Sequence, residues 1–247
     1  MANDRKTALI TGSGQNIGKA CALALAKAGF NIVVNGRKQR EQCDDVADQV
    51  GRLGPEALVA MGDVGSREGC EAIVKPALER FGRIDVLIHN AALRPSTPFL
   101  DMNEDDWHHI LNVNMNASFW LARLCLPGMV EAGWGRLINF AGMNAMHGYN
   151  GRAHVSTSKH GNWGLTKSLA KEFGPKGITT NLVSPGPIRP DNDDPDTLAH
   201  HAEIMARIPV GRLGESNEVA AVVALLASDD GAFINGQMIQ VNGGTMT

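Results

Sequence analysis

The sequence predicts an α/β protein: a doubly wound three-layer α/β/α sandwich built on a seven-stranded parallel sheet. Three observations lead there. Short apolar runs alternate with longer segments of helical periodicity, as repeated βαβ units require. The apolar runs are continuous rather than alternating, as in strands covered on both faces. A glycine-rich turn, Thr11-Gly12-Ser13-Gly14-Gln15-Asn16-Ile17-Gly18, joins the first run to the first helix.

Taken in order, residues 7–11 read as the first strand and 17–28 as a helix stopped by Gly29. A second strand at 31–34 leads to a helix at 39–53, closed by Gly54. The third strand is 57–61, with a helix at 66–81, and the fourth is 85–88. One long helix is expected over 104–124, a fifth strand over 136–140, a helix over 154–173 and a sixth strand over 178–183. A helix at 216–226 precedes the last strand, 238–241. Helical crossovers of this length give right-handed connections in one sheet.

The 247 residues, 43% of them hydrophobic, suit one large domain spanning 1–247 with a well-buried core. A net charge of -3 offers no electrostatic case for nucleic acid or an anionic membrane as partner. Cys21, Cys43, Cys70 and Cys125 are widely spaced and read as reduced thiols. The pairs His108-His109 and His200-His201 lack ligand spacing, so no metal is expected. The N-terminus shows no signal-peptide pattern, and no stretch approaches the roughly 18 apolar residues of a membrane span. A soluble cytoplasmic protein is the expectation. One irregular segment, 187–212, is rich in Pro and Asp and reads as a lid over a substrate.

The turn at 11–18 has a strand before it and a helix after it, the context in which backbone amides receive a pyrophosphate. Candidate cofactor residues here are Gly12, Gly14, Gln15, Asn16, Ile17 and Gly18. The second strand ends Val34-Asn35-Gly36-Arg37, without the acid that binds a ribose 2′-hydroxyl. Arg37 suits a 2′-phosphate by charge and geometry, so NADP(H) is favoured over NAD(H).

These motifs, with Asn181-Leu182-Val183-Ser184-Pro185-Gly186 and Ile234 to Gly244, resemble the short-chain dehydrogenase/reductase family along nearly the whole chain. The resemblance implies a Rossmann-like fold, an NAD(P)(H) cofactor and a homo-oligomer, tetramer or dimer. It implies that Asp63-Val64 contact adenine, that Asn90 and Ala91 line the cofactor, and that Lys159, Pro185, Gly186 and Ile188 border its nicotinamide half. Asn114 matches a catalytic-site asparagine, and Lys159 the lysine of a Tyr-x-x-x-Lys pair. The family's serine and tyrosine positions fall instead on Gly142 and Val155, neither of which has a donor side chain.

Catalysis therefore needs another proton donor. Candidates are His147, Tyr149 on a glycine-flanked turn, His154 beside Val155, a water held by Asn114 and Lys159, or the substrate itself. Arg94, Asn144, Tyr149 and Arg152 are candidate pocket walls, and the arginines suit an anionic or strongly polar small molecule. An atypical NADP(H)-dependent oxidoreductase acting on a small carbonyl or alcohol is the leading expectation. A non-redox lyase, isomerase or dehydratase on the same scaffold, or a catalytically inactive nucleotide-binding protein, are the alternatives.

Overall fold

The computed structural model describes residues 5–191 and 205–246, without the side chains of Asn144 and Ala145. The expected seven strands form one sheet in the order β3-β2-β1-β4-β5-β6-β7. They are β1 (Thr7–Ile10), β2 (Asn31–Val34), β3 (Ala57–Val59), β4 (Val86–His89), β5 (Gly135–Phe140), β6 (Ile178–Pro185) and β7 (Met238–Val241). Every pairing is parallel. The chain order reverses between β1 and β4, so a crevice opens beyond the carboxyl ends of those two strands.

Strand periodicity divides the core into two layers. Ala8 and Ile10 of β1 face one side, with Cys21, Ala22 and Leu25 of α1 (Asn16–Lys27), α2 (Arg40–Arg52) and α8 (Ser216–Ala227). Leu9 faces the other, with α3 (Arg67–Phe81) and α5 (Ala117–Ala132). Helix α7 (Ala153–Phe173) covers β6 on that second side. Helix α4 (Glu104–Leu111) and the single turn α6 (Asn144–His147) each pack against α7.

The expected helix 104–124 is longer and is interrupted. Residues Asn112–Asn116 form a π-helical turn between α4 and α5, and α5 runs on to Ala132 before Gly133 ends it in a left-handed conformation. The cause is Asn114, fully buried, whose side chain turns out of the helix to bind backbone. Helical periodicity carries no trace of this, because Asn114 sits among polar and apolar neighbours alike. Of the expected lid, residues 192–204 lie outside the described residues, as do His200 and His201. Among the described residues no helix is long and apolar enough to cross a membrane. All four cysteines are buried and free.

Candidate active site

Two neighbouring cavities lie at the crevice. The first, about 320 Å³, is lined by Gly12, Gln15, Asn16, Ile17, Gly18, Arg37, Asp63, Val64, Asn90 and Ala91 among others. The second, about 200 Å³, is lined by Phe140, Ala141, Gly142, Lys159, Pro185, Gly186, Ile188, Arg189 and Pro190. Asn16, Ile17, Asn90, Ala92 and Arg94 border both, so the two are continuous.

The first cavity has the shape of a dinucleotide cradle. Gly12 has φ +61°, and a Cβ on Gly18 would lie 2.3 Å from the Gly12 carbonyl oxygen and 2.7 Å from Asn90 Nδ2. Only glycines let the chain turn this tightly and leave amides open to a phosphate. Asn16 has φ +50°, the only non-glycine with positive φ among the described residues. Asn tolerates that backbone better than other side chains. Gly14 departs from expectation. It does not line the cavity but packs against α2, where a Cβ would lie 3.3 Å from Cys43 Sγ.

Asn35, to which the sequence motifs gave no role, holds this turn together with Thr11 and Asn90. Asn35 is buried at the end of β2, accepts from the Gly12 amide at 3.2 Å and donates to the Ala60 carbonyl at 2.9 Å. Thr11 Oγ1 accepts from the Asn90 and Ala91 amides, and Asn90 Nδ2 donates to the Thr11 and Gly12 carbonyls. A polar residue directly after an apolar run was the available signal for both. Gly36 explains why no acid follows Asn35: a Cβ there would meet Cys43 Sγ at 2.6 Å. Arg37 lies at the cavity wall, paired with Asp63 at 3.4 Å.

In the second cavity Lys159 is the central feature. It is buried, and its Nζ donates to the Phe140 carbonyl at 2.8 Å. Burial, and secondarily the charge of Arg94, push its pKa down to about 7. Asn114 stands behind it. Its side chain both donates to and accepts from the Leu93 backbone, at 2.8 Å each, and donates to Ser158 Oγ at 3.3 Å. Asn162, one turn beyond Lys159, donates to the Asn114 carbonyl at 2.7 Å. At the end of β4, His89 is locked neutral: Nδ1 accepts from Ser118 Oγ at 2.6 Å, and Nε2 donates to the Val113 carbonyl at 3.1 Å. Burial first, then Lys159, hold its pKa at about 3.

Tyr149 and His154 are not brought to this cavity. Tyr149 is 55% exposed on the turn before α7, its ring 5.5 Å from the Arg152 guanidinium. His154 is fully buried, its Nδ1 accepting the Val155 amide and its Nε2 without a partner. A helical neighbour of Val155 points about 100° away from it, so His154 faces the protein interior. His147 is exposed. Val155 itself is buried and offers no proton. Of the expected pocket walls, Arg94 lines both cavities, Arg152 lines neither but is close enough for its charge to lower the Arg94 pKa, and Asn144 is outside the described side chains.

Comparison with known proteins agrees with this geometry. A family model described as enoyl-(acyl carrier protein) reductase matches residues 12–246. The 3-oxoacyl-[acyl-carrier-protein] reductase of Staphylococcus aureus is 33% identical over 239 residues, 97% of each chain. The corresponding Synechocystis enzyme is 36% identical over 241 residues, 97% of this chain and 96% of its own. The crystal structure of acetoin dehydrogenase from Salmonella typhimurium superposes with a TM-score of 0.90 at 32% identity, covering 98% of this chain and 96% of that one. A structure described as an NAD(P)-dependent gluconate 5-dehydrogenase from Beutenbergia cavernae, with NADP bound, gives 0.88 at 32% identity over 97% and 96%. The chain belongs to the short-chain dehydrogenase/reductase family, and it is an oxidoreductase of that class.

Proposed function

We propose that the protein is an NAD(P)(H)-dependent oxidoreductase, favouring NADP(H), that acts on a small carbonyl or alcohol through a proton donor unlike that of its relatives. The observation that carries this reading is the continuity of the two cavities. A glycine cradle fit for a dinucleotide opens directly onto a pocket walled by Lys159. Gly12, Gln15, Asn16, Ile17 and Gly18 would hold the pyrophosphate, Asp63 and Val64 the adenine end, and Asn90 and Ala91 the middle. Lys159, Pro185, Gly186 and Ile188 would border the nicotinamide half. Arg37 would receive a 2′-phosphate, and the close Cys43 thiol keeps an acid out of position 36.

When bound, the cofactor supplies or accepts hydride; the chain must manage charge and a proton. A carbonyl oxygen gains negative charge as it is reduced, and positioned cations or donors stabilise it. Gly142 and Val155 contribute none. Lys159 reaches the pocket and changes protonation near neutrality, where a general acid is most effective. In this reading Lys159 delivers the proton, directly or through a water. The Phe140 carbonyl orients its ammonium, and Asn114 keeps the wall beside it in place. The enzyme is read as cytoplasmic and as a homo-oligomer, tetramer or dimer. Exposed apolar side chains on both sides of the sheet, Phe119 of α5 and Leu225 of α8 among them, support contacts with further copies.

The test is NADPH oxidation by purified protein across a broad panel of ketones, imines and enones. Turnover with at least one, lost by about 10²–10⁴-fold in Lys159→Met while NADPH still binds, is expected. No oxidation across the panel overturns the reading.

A further inference from the structure

The second cavity has an unusual charge balance. Its lining includes Lys159, Arg94 and Arg189, and no Asp or Glu among the described residues. Arg189 is engaged by Glu215 at 3.0 Å. Arg94 has no carboxylate within ion-pair distance among the described residues, and neither has Arg152 close by.

The backbone that carries Arg94 is also fixed. Its neighbour Leu93 is bound through both backbone N–H and C=O by the buried Asn114 side chain. Pro95 follows, which restricts Arg94 to extended backbone. Three residues on, the Thr97 amide donates to the Gly151 carbonyl at 2.8 Å, tying this loop to the one that carries Arg152. The loops touch so closely that a Cβ on Gly151 would lie 2.8 Å from Ser96 Oγ. Arg152 is stacked on the Tyr149 ring at 5.5 Å. Arg94 and the Lys159 ammonium thus line one cavity with Arg152 near Arg94, and no Asp or Glu among the described residues forms an ion pair with any of the three. Arg94 is exposed to solvent, and desolvation, then the charge of Arg152, lower its pKa.

Like charges gathered beside one pocket repel each other unless an anion relieves them. The fold maintains this arrangement with a buried asparagine and a loop-to-loop hydrogen bond. We propose that the substrate carries a carboxylate, and that Arg94, with Arg152 behind it, receives it. This rests on the oxidoreductase reading above and names its substrate class: a small oxo acid or hydroxy acid. A guanidinium matches a carboxylate with two parallel hydrogen bonds, and a cavity of about 200 Å³ suits a compact substrate.

The experiment uses the full-length protein and a panel of straight-chain and aromatic 2-oxo and 3-oxo acids, each paired with its methyl ester. NADPH oxidation is followed kinetically. Binding of the corresponding hydroxy acids and esters to NADP⁺-loaded protein is followed by calorimetry, in wild type, Arg94→Gln, Arg94→Lys and Arg152→Gln. At least one acid is expected to bind and turn over at least tenfold better than its ester. Arg94→Gln should weaken that acid by about 10–100-fold and narrow the acid–ester difference. Arg94→Lys should recover part of the loss, and NADP⁺ affinity should stay within about twofold. Esters equal to acids, no acid bound, or an equal loss of NADP⁺ affinity in Arg94→Gln each overturn the proposal. Charge-selective binding of acids without any NADPH oxidation would keep the receptor and remove the oxidoreductase reading instead.

Discussion

At Gly142 the backbone has φ +139°, a region that L side chains rarely enter, although a Cβ there would meet nothing within 4 Å. The space for the family's serine is present, but the conformation is glycine's. Restoring only one hydroxyl is therefore not a simple reversal. Gly142→Ser should cost about 1–3 kcal/mol in backbone strain, read as a lower Tm. The double change with Val155→Tyr should gain ordinary ketone reductase activity only if that strand end also shifts. Gly36 shows the opposite constraint, a conformation open to any residue and no space. Gly36→Asp should destabilise by about 1–3 kcal/mol through overpacking on Cys43. Adding Cys43→Ala should recover the stability and move the NADPH/NADH preference toward NADH, measured as the ratio of kcat/KM for the two.

Two elements set the site by borrowing polar groups from each other. The π turn at Asn112–Asn116 places Asn114 where it can hold Leu93, and so positions Arg94. Asn114→Ala should leave those backbone groups unsatisfied at about 1–3 kcal/mol. It should weaken substrate more than cofactor, seen by comparing KM for substrate with Kd for NADPH. The second pairing joins the start of α1 to the loop after β6. Asp191 Oδ2 accepts the Asn16 amide at 2.6 Å, and the Asp191 amide donates to Asn16 Oδ1 at 2.8 Å. A carboxylate thus sits at the helix end that a pyrophosphate would use. Asp191→Asn should tighten NADPH binding about two- to fivefold, the range of one charge at a helix terminus, by fluorescence titration.

Across the whole molecule the buried cation Lys159 couples stability to pH. Its folded pKa of about 7 lies below its ordinary value of 10.5. Between these values the unfolded chain holds the proton and the folded chain does not, so stability rises with pH over that window. Below about pH 7 both forms are protonated and the penalty of burying the charge is at its full value. The apo protein should therefore gain stability from pH 7 toward 10.5 in denaturant titrations, and Lys159→Met should flatten that rise. His89 acts in the same sense at lower pH. With a folded pKa of about 3 against 6.5, its contribution is lost as pH falls from 6.5 toward 3.

The sheet and its dinucleotide turn were legible in the sequence because both rest on local chemistry. Continuous apolar runs specify buried parallel strands, and Gly12 and Gly18 answer to backbone clearance within one turn. The absence of a proton at Val155 and Gly142 was legible too, since a side chain's chemistry does not depend on its surroundings. What replaces it was not. Tyr149 and His154 are chemically suited, but tertiary packing turns one to solvent and buries the other. The interruption at Asn114, the clamp of Asn16 on Asp191 and the gathering of Arg94, Arg152 and Lys159 all join residues distant in the chain. Such contacts arise only when the folded layers bring loops together, and there burial and mutual repulsion, rather than residue type, decide which group is charged and what it can receive.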